Sequence, residues 1–127
     1  MPFYCDRIEN KYLLDFKICE KTFASMTGIA LMDFRGTDKN NWTQDQMYIV
    51  LDSVRWERVD ELTAVASPNS FAQNGDMYSA GWAVNTVDYD LEGDKIRLRV
   101  MLACRGVDSR LMRVGYQATA LGKQKET

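Results

Sequence analysis

A chain of 127 residues with 46% apolar side chains is sized for one compact domain, residues 1–127, that buries a core without cross-links. Its formal charge of −2 excludes the net basic surface of a general nucleic-acid binder, and the absence of histidine removes the commonest general base and metal ligand. No apolar run reaches the roughly 18–20 residues of a membrane-spanning helix, and no basic-plus-apolar leader opens the chain, so the expectation is no membrane, no signal peptide, and a place in the cytoplasm or in an assembled particle.

Residues 1–24 admit two readings. Ile8, Tyr12, Phe16, Cys19 and Phe23 recur at three- and four-residue spacing, as on one helix face, with Asp6 and Glu9 placed as a capping box. Leu14, Phe16 and Ile18 also alternate with Asp15 and Lys17, as in a half-buried strand. The segment is therefore a peripheral helix or a strand, the strand being favoured if the remainder is all-β.

Gly28 to Phe34 reads as a short apolar strand, and Arg35 to Asn41 as a loop carrying Gly36, Asp38, Asn40 and Asn41. Met47 to Leu51 suits a strand covered on both faces, and Asp52 to Val59 alternates around Val54 and Trp56. Leu62 to Ala66 is a further strand, ending at Ser67-Pro68-Asn69-Ser70, and Asn74-Gly75-Asp76 is a turn.

The C-terminal third is the clearest. A strand from Trp82 to Tyr89 meets the turn Glu92-Gly93-Asp94. Ile96, Leu98, Val100 and Leu102 then face one way, and Arg97, Arg99 and Met101 the other. After a loop around Gly106, the residues Met112, Val114, Tyr116, Ala118 and Ala120 share a face. These last two strands read as neighbours in one sheet. Short strands at this spacing predict an all-β, antiparallel β-sandwich of about six to eight strands.

Little in the chain suggests catalysis. Of the paired acids Asp88 with Asp90, Glu92 with Asp94, and Glu57 with Asp60 and Glu61, most sit at turns, where aspartate is favoured for local backbone bonding. Asp38, Asn40 and Asp45 match no calcium loop. Cys5, Cys19 and Cys104 read as free, partly buried thiols in a reducing compartment, without the spacing of a zinc site or the imidazole a cysteine nucleophile uses. No metal, no cofactor and no enzymatic activity are expected.

Two groups stand out as binding residues. Trp42, in the polar stretch Asn40 to Gln44, is a candidate for stacking on a ligand, with Arg105, Asp108 and Arg110 of the joining loop as polar partners. Arg97, Arg99 and Arg113 form a basic sheet face, suited to an oligomer contact or to cross-strand pairing with surface acids.

Residues from Trp56 to Gly122 resemble an H-type lectin domain. The likeness lies in the turn Glu92-Gly93-Asp94, the alternating strand Ile96 to Leu102, a loop, and the final strand Val114-Gly115-Tyr116-Gln117-Ala118. Members of that family usually carry an aromatic and a histidine before the last strand. This chain has Cys104 and Arg105 there, so an N-acetylgalactosamine site is not carried over. The resemblance implies a sandwich fold, a tendency to form trimers, and glycan binding or a place on a virion or tail-like assembly. The resulting expectation is a non-enzymatic module that binds a carbohydrate or another protein and acts as a homo-oligomer. Its rival is a structural subunit of a virion, tail or other large assembly.

Overall fold

The computed structural model describes residues 2–72, 81–107 and 109–126. Eight strands appear among them, and no helix: β1 (Phe3–Tyr4), β2 (Arg7–Ile18), β3 (Lys21–Arg35), β4 (Trp42–Leu51), β5 (Trp56–Ala72), β6 (Gly81–Glu92), β7 (Lys95–Arg105) and β8 (Arg110–Gln124). They form two four-stranded sheets, ordered β1-β4-β7-β6 and β2-β3-β8-β5. Every pairing is antiparallel except the short parallel contact of β1 with β4. The protein is the expected antiparallel β-sandwich.

Alternation builds the core. From the first sheet, Met47, Ile49 and Leu51 of β4 and Ile96, Leu98, Val100 and Leu102 of β7 point inward and are buried. From the second come Ala24, Met26, Ala30 and Met32 of β3, and Val114, Tyr116, Ala118 and Ala120 of β8. Large side chains on one sheet thus meet an alanine-rich face on the other, which lets the two layers interdigitate. Gly28 lies opposite Tyr116 in the ladder, and a Cβ there would sit 2.5 Å from the phenol oxygen. The glycine makes room for the buried ring.

Residues 7–18 are strand, not helix. The four-residue spacing of Tyr12 and Phe16 fits either, because every fourth residue shares a face on a strand as well as on a helix, while Ile8 packs on the core side. A bulge lies between Glu9 and Tyr12, where Asn10 takes φ 53°. The β6–β7 hairpin turns at Gly93, with φ 64°, as the sequence predicts.

Other expectations change. Trp56–Ala72 is one strand that runs through Pro68 rather than ending there, because register shifts at Pro68/Ser70 and Ser70/Phe71 absorb the imide. Leu111 replaces Met112 in the core, since the register shift between Leu31 and Phe34 changes the phase of β8. β7 and β8 are not neighbours. They lie in different sheets, so their apolar faces oppose each other. The Asn74-Gly75-Asp76 turn lies outside the described residues.

Candidate functional site

Trp42 and Arg105 come together. They are ladder partners at the ends of β4 and β7, and the guanidinium carbon lies 5.1 Å from the centre of the indole. Both therefore stand on strands of the first sheet, not in loops. A Cβ on Gly81 of β6 would lie 2.7 Å from the indole edge, so that glycine permits the ring to lie across the sheet. Beside the ring is a recess of 340 Å³ with Ala83 and Ala103 at its floor and Gln44, Asn85 and Met101 around it. Its chemistry is one aromatic face, a thioether and two side-chain amides.

Of the other two predicted ligand residues, Arg110 does not join this recess. Asp108 lies outside the described residues. Arg110 begins β8, in the second sheet, and bonds Asp33 at 2.9 Å. That bond is the main reason the Asp33 carboxyl is held below its usual range. The crossing between β7 and β8 is knit tightly. Buried Ser109 donates its hydroxyl to the Gly106 carbonyl at 2.9 Å, and the Gly106 amide donates to the Asp38 carbonyl at 2.9 Å.

Asp38 also accepts hydrogen bonds from the Asn40 and Asn41 amides at 2.9 and 3.3 Å, tying its carboxylate to its own loop. Among the described residues no set of three or more Cys, Asp or Glu side chains gathers as a metal site.

The predicted basic face divides between the sheets. Arg97 forks onto Asp90 with bonds of 2.9 and 2.6 Å, donates to the Tyr4 hydroxyl at 2.9 Å and lies 4.1 Å over the Tyr48 ring. Arg99 forks onto Asp88 in the same manner. The register of the β6–β7 hairpin sets both pairs by placing Asp90 beside Arg97 and Asp88 beside Arg99. Arg113 stands on the second sheet, 3.8 Å from Glu9.

Every carboxyl with a displaced pKa among the described residues moves downward: Asp33, Asp38, Asp52, Asp60, Asp90 and Asp94. A general acid needs the opposite shift. The three cysteines are free. Burial raises the Cys5 thiol and pushes Cys104 up to about 11, so both are protonated at neutral pH.

The outer face of the second sheet is the surface that sequence reasoning missed. On β2, Tyr12, Leu14, Phe16 and Ile18 are 70%, 67%, 47% and 59% exposed. They are ladder partners of Thr27, Ser25, Phe23 and Lys21, on the side away from the core, and Phe16 stacks on Phe23 at 5.0 Å. Further across lie Gln117, Thr119 and Leu121 of β8, then Val65, Thr63 and Glu61 of β5, with Val65 65% exposed. A shallow groove of 560 Å³ runs from Tyr12 over Thr27 and Gln117 to Val65.

The centre of this face is neutral, and its β2 border is apolar. Alternation of Leu14, Phe16 and Ile18 announces an apolar face, but the expected cover is missing. The bulge between Glu9 and Tyr12 sets this: Ile8 pairs with buried Ala30 on the core side, whereas beyond the bulge Tyr12, Leu14, Phe16 and Ile18 turn outward.

Comparison of the chain with protein-family models, curated proteins and solved structures finds no match.

Proposed function

We propose that the protein is a non-enzymatic interaction module that works as a homo-oligomer, with β2 and the adjoining outer face of the second sheet as its contact surface. The observation that carries this reading is the row Tyr12, Leu14, Phe16 and Ile18, large apolar side chains all exposed along one edge strand. Single exposed apolar residues are ordinary, whereas a contiguous row at a sheet edge marks an interaction site. The downward shifts of the carboxyls and the protonated thiols support the non-enzymatic part.

The same surface suits a structural subunit of a larger particle, in which light scattering would report large assemblies. The test of the contact surface is sedimentation of a variant carrying both Leu14→Ser and Phe16→Ser. The expected result is a folded monomer at concentrations where the parent chain is oligomeric. An oligomer unaffected by the two changes contradicts the reading.

Carbohydrate binding is a second reading, favoured by the recess beside Trp42. An indole face flanked by the Gln44 and Asn85 amides and floored by Ala83 and Ala103 offers stacking and neutral hydrogen bonding together. Glycan-array binding that disappears in a folded Trp42→Ala variant supports it; an inert array removes it.

A further inference from the structure

We propose that β2 pairs with β2 of a second copy, antiparallel and in one register, about a two-fold axis at Phe16. Two four-stranded sheets would then become one continuous sheet of eight strands. This inference rests on the contact-surface reading above and names its partner.

Among the described residues the backbone of β2 is open on one side, because β3 is its sole neighbour in the sheet there. From Tyr12 to Ile18 the strand has no register shift and no proline. The Asn10 bulge limits this stretch at one end, and the turn at Cys19–Glu20 limits it at the other. The unbroken run between them, apolar on one face, is the kind of edge that templates pairing.

Charge selects the register. Asp15 and Lys17 project on the side opposite Leu14, Phe16 and Ile18, as ladder partners of Ala24 and Thr22, and both are exposed. Neither has an ion-pair partner among the described residues.

An axis at Asp15 would set the two Asp15 carboxylates against each other, and an axis at Lys17 would oppose the two ammonium groups. An axis at Leu14 would place Lys17 against Lys11, and one at Leu13 would run the Asn10 bulge into the ladder. With the axis at Phe16, Asp15 faces Lys17 of the second copy twice. On the other side Leu14 faces Ile18 twice, and Phe16 meets its own counterpart. Directly opposed side chains have Cβ atoms about 4.5–5.5 Å apart, close enough for each of these contacts. The Phe23–Phe16 stack of each copy then continues into the other, giving a row of four rings across the joint.

Sedimentation of the full chain tests the register, with circular dichroism as the folding control. The expected species is a dimer. Asp15→Lys or Lys17→Asp alone should weaken it by roughly tenfold or more, because each change creates two like-charge contacts. The double variant Asp15→Lys with Lys17→Asp exchanges the charges and should restore it. In a Cys19→Ser background, Phe16→Cys should form an intermolecular disulfide on mild oxidation, and Leu14→Cys should not.

A double variant no tighter than either single change overturns the proposal, as does a trimer or Leu14→Cys linking as readily as Phe16→Cys. If Leu14→Ser with Phe16→Ser still dissolves the oligomer in that case, the contact surface stands and only the edge pairing fails. A chain that is monomeric at every concentration overturns both.

Discussion

β5 and β2 occupy opposite edges of the same sheet and treat their open backbone in opposite ways. β5 breaks register at four places, carries Pro68, and bears Glu57, Arg58, Asp60 and Glu61 near its start. It also lies against β6 of the other sheet. Bulges, proline and charge are the usual means by which an edge is kept from pairing with another chain. β2 beyond its bulge has an unbroken register, with Leu14, Phe16 and Ile18 exposed. One sheet therefore has a blunted edge and an open one, and the proposed contact lies on the second.

The two outer faces differ in the same sense. On the first sheet, Arg97 and Arg99 are closed onto Asp90 and Asp88 by the hairpin register. On the second, Ser25, Thr27, Thr119 and Gln117 leave a neutral centre with apolar side chains beside it.

The largest expected effect separates buried from exposed leucine. Leu98→Ala, at a fully buried site, should cost about 2–5 kcal/mol of unfolding free energy. Leu14→Ala should change that free energy by less than about 0.5 kcal/mol while weakening self-association. Denaturant titration and sedimentation of the same samples check both halves. Equal stability losses would mean that β2 belongs to the core.

Gly122→Ala sharpens the contrast from the β5 side. A Cβ there would overlap the Arg58 carbonyl oxygen and lie 2.9 Å from the Val59 Cα, backbone atoms at the site of the β5 bulges. We expect a loss of about 1–3 kcal/mol, with faster amide exchange concentrated in the first half of β5. A variant as stable as the parent would show that the bulged edge adapts freely.

Alkali acts on the core that both edges share. Burial pushes the Cys104 thiol from 9.0 up to about 11 and the Tyr116 phenol from 10.0 up to about 12. Each group is favoured neutral in the folded state. Its contribution is therefore complete below the unfolded value and declines as pH rises through the folded one. The melting temperature should hold to about pH 9 and then fall toward pH 12. Tyr116→Phe should flatten the upper part of that fall. A melting temperature constant across this range would contradict the burial of both groups.

The smallest effect belongs to the paired face. Arg97→Met should lower stability only slightly at low salt and less at high salt, because the Asp90 carboxylate of the pair is open to solvent.

Much of the fold was legible because its signal is local. The alternation of Ile96, Leu98, Val100 and Leu102 and the positive φ available to Gly93 define the β6–β7 hairpin from the sequence alone. The partners of Arg97 and Arg99 follow from that hairpin's register. The placement of β8 was not legible, because alternation reveals which side of a strand is apolar but not which sheet it joins. The run of β5 through Pro68 was hidden for a related reason: a bulge that accommodates proline leaves no mark on composition.

The candidate surfaces divide likewise. Trp42 and Arg105 were both visible as residues, but their contact depends on long-range pairing of β4 with β7. The apolar side of β2 was visible too. Its exposure depends on the bulge between Glu9 and Tyr12, which turns that side away from the core and which no periodicity encodes.

Hydrogen–deuterium exchange of the unmodified chain, followed from dilute to concentrated solution, tests the central claim most directly. The account predicts that backbone amides between Tyr12 and Ile18 exchange more slowly as concentration rises, while those of β5 do not change. Exchange in β2 that is independent of concentration, or slowing confined to β5, would contradict it.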